Sequence, residues 1–410
     1  MDEVLVILAY SLLGCLVGVV TGLIPGIHVN TLLPFMFLFS ERVSGISLAA
    51  LIISLAVTHT FLDFIPATIF GAPEGETALS VLPAHRMLLS GRGYEAIKLT
   101  AIGSLGALLF SLTLILPMFY LIPIIFRFIN PYIGHILLLI VAFLILIEKK
   151  LKKIFYATFL FLLSGTLGFV VLSFHLLSED HKLFAIFTGL FGLSILSLSV
   201  REKLRIPLQP IDGRIHLSKK SMALSILRGA SAGMFVALFP GIGAAQATVL
   251  VQKLPEKKGN VVLQERNTRE FLVSVSGVNT ANAIYALVAL YTISKPRSGA
   301  VIAIQNLVEV DRFLVFILIC VVLFVAGIAT LLNLLIARYA IRILSRFDYS
   351  KLCGAIMVLL ILMVLGLAGF YGVLVCGVAF FIGIIPPLVG VRRSHCMGVL
   401  LLPVIIWYVF

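Results

Sequence analysis

Gly22-Leu23-Ile24-Pro25-Gly26-Ile27-His28-Val29-Asn30-Thr31 decides the fold, together with its counterpart 215 positions later, Phe239-Pro240-Gly241-Ile242-Gly243-Ala244-Ala245-Gln246. Each stretch interrupts an apolar segment. Proline lacks an amide hydrogen and clashes with the preceding turn, and glycine opens unusual dihedrals, so the pair breaks a helix. Backbone opened at membrane depth must face protein or a wet cavity. The half-helix that follows offers free N–H groups and a partial positive charge, which suit an anion. The residues such tips would present to a solute are Pro25, Gly26, His28, Asn30 and Thr31 in the first, and Pro240, Gly241, Gly243 and Gln246 in the second.

The surroundings are those of a membrane protein. Of 410 residues, 61% are hydrophobic and only 12% charged, with a mean hydropathy of +1.16. Soluble chains are nearer half apolar. Apolar stretches of about 20 residues, each enough to span a hydrocarbon core, recur from end to end. The net charge of +13 does not point to nucleic acid. Lys and Arg fall in short runs between apolar segments, at Glu148–Lys153, Arg201–Lys220, Lys253–Arg269 and Arg338–Lys351, as the positive-inside rule requires. Cys15, Cys320, Cys353, Cys376 and Cys396 form no C-x-x-C pair and read as small buried hydrophobes. Met1-Asp2-Glu3 carries no basic n-region, so the first segment reads as a retained span.

Apolar segments fall at 4–24, 27–39, 44–62, 98–126, 131–147, 153–175 and 183–199, then at 223–239, 242–254, 269–291, 312–337, 352–369, 371–389 and 396–410. The expected organisation is a first membrane repeat at 1–199, a cytoplasmic linker at 200–222 and a second repeat at 223–410. Gly14-x-x-x-Gly18 lies over Gly229-x-x-x-Gly233, and Pro25-Gly26-Ile27 over Pro240-Gly241-Ile242, both at an interval of 215. Pro73 pairs with Pro296 at 223. Loop charge sets opposite directions for matched segments, 98–126 running inside to outside and 312–337 outside to inside. The fold class expected is an all-α polytopic membrane protein of two inverted-topology repeats. Each would hold about five spanning helices plus a Pro-Gly-broken re-entrant hairpin, with both termini outside.

At these residues the chain resembles the large permease of the tripartite tricarboxylate transporters. The resemblance covers nearly the whole chain. It rests on the Gly-x-x-x-Gly and Pro-Gly-Ile elements, on Ile69 through Gly103 with Gly91-Arg92-Gly93, on Pro240-Gly241-Ile242-Gly243, and on Thr280-Ala281-Asn282-Ala283. It implies uptake of carboxylates on an ion gradient, with a small membrane subunit and a periplasmic binding protein as partners. The departures are Ala244 where the tip usually has Pro, Ala281 for one of two adjacent Asn, and Val278 for an acid. Val81-Leu82-Pro83-Ala84 replaces an Asp-Gly-Tyr-Pro-like element, and Pro296-Arg297 replaces Pro-Gly. These bear on the solute and the coupling ion.

Ionisable residues in apolar surroundings line cavities or are paired. His59 and Asp63 stand four apart on one helix face, and Glu74 and Glu76 occupy the 71–77 loop. These four are the candidates for Na+ or H+ coupling. Lys295 and Arg297, in the matching loop of the other half, are candidates for holding the anion, although the scheme places them outside or within the membrane, against the charge rule. His28 at a tip titrates near neutral pH. Asn30, Thr31, Gln246, Thr248, Asn279, Thr280 and Asn282 offer amides and hydroxyls that replace a solute's water shell; helix–helix hydrogen bonding is their ordinary alternative use. His135, His175 and His395, near span ends, read as interfacial.

No spacing suggests a metal site, and G-x-x-x-x-G-K-[ST] is absent, so no ATP drive or cofactor is expected beyond the coupling ion. No nucleophile–base set suggests an enzyme. The function expected is a secondary active transporter of a small anionic solute, a carboxylate by resemblance, in the cytoplasmic membrane of a prokaryote. The alternative is a translocase, or flippase, of a polyprenyl-phosphate lipid carrier. Further partners to expect are membrane lipids and a second copy of the chain, without nucleic acid.

Overall fold

The first helix, α1 (Asp2–Leu23), and its later counterpart, here numbered α11 (Lys219–Leu238), both stop two residues before a proline. Phe239, the residue before Pro240, is extended at φ −105° and ψ 121°, as the proline ring demands of its predecessor. The computed structural model describes every residue except 1, 25–28, 30–31, 33–35, 37–40, 71–80, 149, 174–178, 202–206, 212–213, 240–243, 245–246, 249–260, 296–297, 345–348 and 410. Farther on, Val29, Leu32 and Met36 are helical, as are Ala244, Ala247 and Thr248.

Between α1 and α11 lie α2 (Gly45–Leu62), α3 (Phe64–Phe70), α4 (Val81–Leu89), α5 (Gly93–Thr113), α6 (Ile115–Ile129), α7 (Ile133–Leu146) and α8 (Leu151–Ser173), then α9 (Glu179–Phe187) and α10 (Ser194–Arg201), joined by a π-helical stretch at Thr188–Leu193. After α11 come α12 (Val261–Ile293), α13 (Gly299–Leu307), α14 (Arg312–Leu344), α15 (Tyr349–Val389) and α16 (Gly398–Val409), the last preceded by a 3-10 turn at Arg393–Met397. Among the described residues there is no strand, and ten helical segments are long and apolar enough to cross a membrane. The chain is an all-α polytopic membrane protein.

α15 is a hairpin. As one straight helix its 41 residues would reach roughly 60 Å, twice a bilayer core. Gly369 breaks it with φ 59° and ψ −161°. Met357, Ile361 and Val364 on one arm and Val373, Gly377 and Phe380 on the other line a single apolar cavity of about 310 Å³. Residues so far apart in sequence meet only if the arms fold back. This agrees with separate spans at 352–369 and 371–389.

Helix packing follows from small residues that let backbones touch. A Cβ on Gly18 would stand 2.7 Å from the Leu55 carbonyl and 2.7 Å from Thr58 Cβ; one on Gly14 would meet Leu51 and Ser54. α1 is thereby seated on α2. In the same way a Cβ on Gly229 would meet Ser274 and Gly277, and one on Gly233 would meet Val278 and Ala281, seating α11 on α12. The partner residues Leu51, Ser54, Leu55 and Thr58 each stand 223 positions before Ser274, Gly277, Val278 and Ala281. This is the interval between Pro73 and Pro296.

The later helices interlock reciprocally. Gly168 on α8 lies against the Val399 carbonyl, and Gly383 on α15 against that of Leu190. Gly398 lies against Phe161, and Gly189 against Cys376. α2 also packs on α14, and α12 on α5, so each half reaches into the other. α2 and α12 touch each other and are the most buried spans, with 89% of each apolar window inside.

Candidate functional site

These two enclosed helices carry the polar residues singled out from the sequence. On α2, His59 is 2% exposed, and its Nδ1 shares a hydrogen bond of 3.1 Å with Thr21 Oγ1 of α1. Asp63 caps the helix: its N–H donates to the His59 carbonyl at 2.9 Å, and its side chain is buried. On α12, Thr280 Oγ1 donates to the Ser104 carbonyl of α5 at 2.7 Å. Thr280 thus does the ordinary work of a membrane hydroxyl, tying two helices together.

Asn279 does not. It is 3% exposed, and neither its Oδ1 nor its Nδ2 has a hydrogen-bond partner among the described residues. Residue 279 lies about 100° around the helix from both 278 and 280. Those neighbours face α11 and α5, and Asn279 faces away from both. The half-buried Asn282 also has an unpartnered Oδ1. An amide buried without partners costs about 1–3 kcal/mol in the empty protein, so such groups call for an explanation. At the interval of 223, Asn282 takes the position of His59. A histidine and an amide thus occupy matched places on two touching central helices.

The other candidates fall elsewhere. Lys295 is exposed, just beyond the end of α12, where Ser294 adopts φ 50° ahead of Pro296. It stands about 20 Å along the helix axis from Asn282, so it does not join the buried amides. Thr248 is buried and donates to its own helix, to the Ala244 carbonyl. Pro25, Gly26, His28, Asn30, Thr31, Pro240, Gly241, Gly243, Gln246, Arg297, Glu74 and Glu76 lie outside the described residues.

Sequence reasoning missed two groups. Asn333 of α14 is fully buried and donates from Nδ2 to the Phe61 carbonyl of α2; a lone amide in an apolar run was the available signal. His395 sits beside a span end but is enclosed by protein. It is 2% exposed, and its Nε2 lies 3.1 Å from Glu148 Oε1, which also accepts the Arg392 N–H at 3.0 Å. No local pattern marks a pair so distant in sequence.

Glu148 lies in the turn between α7 and α8. Burial pushes its carboxyl up, but the His395 hydrogen bond, the Arg392 N–H and their nearby charge together hold it below the usual carboxylate range. A carboxyl held low stabilises the fold above its unfolded value, and that contribution disappears as pH falls through its folded value. Glu148→Gln is therefore expected to melt a few degrees below the wild type at neutral pH. The gap should close in acid below the carboxylate range. Melting curves over a pH series check this, and a constant gap would contradict it.

The geometry is that of a helical membrane protein with uncommitted polar groups enclosed at the centre of its bundle. The chain belongs to the Tripartite tricarboxylate transporter TctA family, which it matches over residues 8–398. It is thus a transporter permease component. An uncharacterized protein of Methanocaldococcus jannaschii is 29% identical over 417 residues, covering 98% of each chain. No solved structure matches the chain.

Proposed function

We propose that the chain moves a small carboxylate across the cytoplasmic membrane of a prokaryote by alternating access, coupled to Na+ or H+. The observation that carries this reading is the unpartnered amide of Asn279, with Asn282 one turn on, inside a span of a tricarboxylate-transporter family member. Amide N–H groups complete the shell of a carboxylate, and amide oxygens that of a cation. The matched glycine contacts at 223 support a duplicated architecture, and inverted repeats place such sites near the bilayer midplane. His59, hydrogen-bonded to Thr21 and four residues before Asp63, is the group we assign to coupling. By loop charge the linker at 200–222 is cytoplasmic and both termini are outside. The tripartite family name supports a small membrane subunit and a solute-binding protein as partners.

The test uses the purified chain with citrate and succinate. Either anion should raise the melting temperature in a concentration-dependent way, and should accumulate in proteoliposomes when a Na+ or proton gradient is imposed. If neither anion shifts melting or accumulates, while a polyprenyl phosphate does shift it, the carboxylate reading is lost.

A further inference from the structure

A cluster of buried charge lies outside the central site, at the end of the bundle that linker residues 209 and 216 contact. Glu95, in the first turn of α5, is 6% exposed, and Arg269 of α12 is 4% exposed. Arg269 Nε donates to Glu95 Oε1 at 3.0 Å, and its Nη2 reaches Glu265 Oε2 at 3.2 Å. Arg92 Nη1 meets the same Glu265 oxygen at 3.0 Å. The linker joins in: the His216 N–H donates to Glu95 Oε1 at 2.7 Å, with the His216 ring at 3.3 Å. Gln209 accepts the Gly93 N–H at 2.8 Å and donates to the Leu88 carbonyl at 2.8 Å. Glu270 binds Arg266 and Arg228 alongside. First half, linker and second half are therefore joined through one carboxylate.

The matched end of the bundle is built differently. At the interval of 223, Ile46 takes the place of Arg269. At the same interval Leu318 takes the place of Glu95, and it is 1% exposed. Gly45 there packs on the Leu307 carbonyl and Val308, and Asp311 only caps its own helix, accepting from the Leu314 N–H at 2.7 Å. Among the described residues, one end is packed by apolar contact and the other by buried ion pairs.

That difference has a thermodynamic direction. A buried ion pair is poor as pure stabilisation, because desolvation offsets much of the attraction. Its members nevertheless depend on one another, because loss of one partner leaves the other's charge buried and unpaired, a penalty that an apolar contact does not carry. We infer that Glu95, Arg269 and Glu265, with His216 and Arg92, form an ionic latch that holds the linker end shut and sets the resting direction of the transport cycle. This rests on the alternating-access reading of the site. Glu95 is a positioning residue here; it need never touch the solute.

Hydrogen–deuterium exchange on the full chain in lipid nanodiscs, with no solute present, tests the latch apart from the choice of cargo. Glu95→Gln keeps the side-chain shape and removes the charge. Exchange at 93–97, 207–217 and 263–270 is expected to rise about tenfold, a shift typical of a conformational equilibrium that has lost one coupling. Exchange at 45–47 and 308–314 should stay level or slow. Arg92→Gln, which parts only the exposed outer pair, should give the same asymmetry about twofold. It serves as the second reading if Glu95→Gln fails to fold. Unchanged exchange in the variants, or an equal rise at both ends, would overturn the latch. Asymmetric exchange without carboxylate uptake would leave the latch standing and remove the cargo.

Discussion

Asn279→Leu is expected to lose carboxylate binding about a hundredfold while melting no earlier than the wild type. Both effects come from one group. In the empty protein the Asn279 amide is buried with neither polar atom satisfied, and a leucine, which has the same branched outline without polar atoms, removes that penalty, about 1–3 kcal/mol. With the solute bound, the same amide would make its hydrogen bonds, and their loss leaves a buried ionised group unpaired, worth roughly 2–4 kcal/mol. The two readouts must move in opposite directions, which a scaffold residue does not do. Calorimetric titration with citrate and a melting curve on one preparation decide the matter. A variant that binds normally, or that loses binding together with several degrees of stability, removes Asn279 from the site. Asn282→Leu should behave in the same way with smaller amplitude, since Asn282 is only half-buried.

Gly168→Leu should yield no folded protein. A Cβ on Gly168 would fall inside the Val399 carbonyl, with the rest of that backbone unit within 3 Å. No side-chain rotamer relieves a clash with main chain. Overpacking alone costs about 1–3 kcal/mol, and separating α8 from α16 adds lost contacts, against a typical total stability of roughly 5–15 kcal/mol. Gly383→Leu should fail too, because a Cβ there would clash with the Leu190 carbonyl in the same way. Gly327 and Gly354 have nothing within 4 Å of a built Cβ, so leucine at either should leave a monodisperse profile on size-exclusion chromatography. A monodisperse Gly168→Leu variant would show that the packing of α8 on α16 is not required.

Much of the fold was legible because its determinants are local. Pro25 and Pro240 mark where α1 and α11 stop, since proline acts on its immediate predecessor. Gly369 marks the turn of α15 for the same kind of reason. The interval of 223 read from Pro73 and Pro296 reappears in the residues under Gly14, Gly18, Gly229 and Gly233. The central site was legible in part. Asn279 and Asn282 stood out as polar groups in an apolar run, and the structure adds that both polar atoms of Asn279 and the Asn282 oxygen are uncommitted. Lys295 was singled out by its loop position alone, which gave no measure of the roughly 20 Å that separates it from Asn282. The pairs Glu95–Arg269 and Glu148–His395 were hidden. Their members sit in separate basic stretches of the sequence, and charge flanking the spans of a membrane chain reads first as topology. Only three-dimensional pairing shows that these charges are enclosed.

The reciprocal packing of α8 on α16 and of α15 on α9 and α10 bears on how the chain is made. A nascent polypeptide enters the bilayer N-terminus first, so α8 arrives with its glycine face bare and waits for a helix that begins at Gly398. α5 likewise stays incomplete until α12 is synthesised. The first half can occupy the lipid early but cannot close on itself until α16 is synthesised. Premature termination anywhere before α16 would leave an inserted yet unfinished bundle, a natural substrate for membrane quality-control proteases.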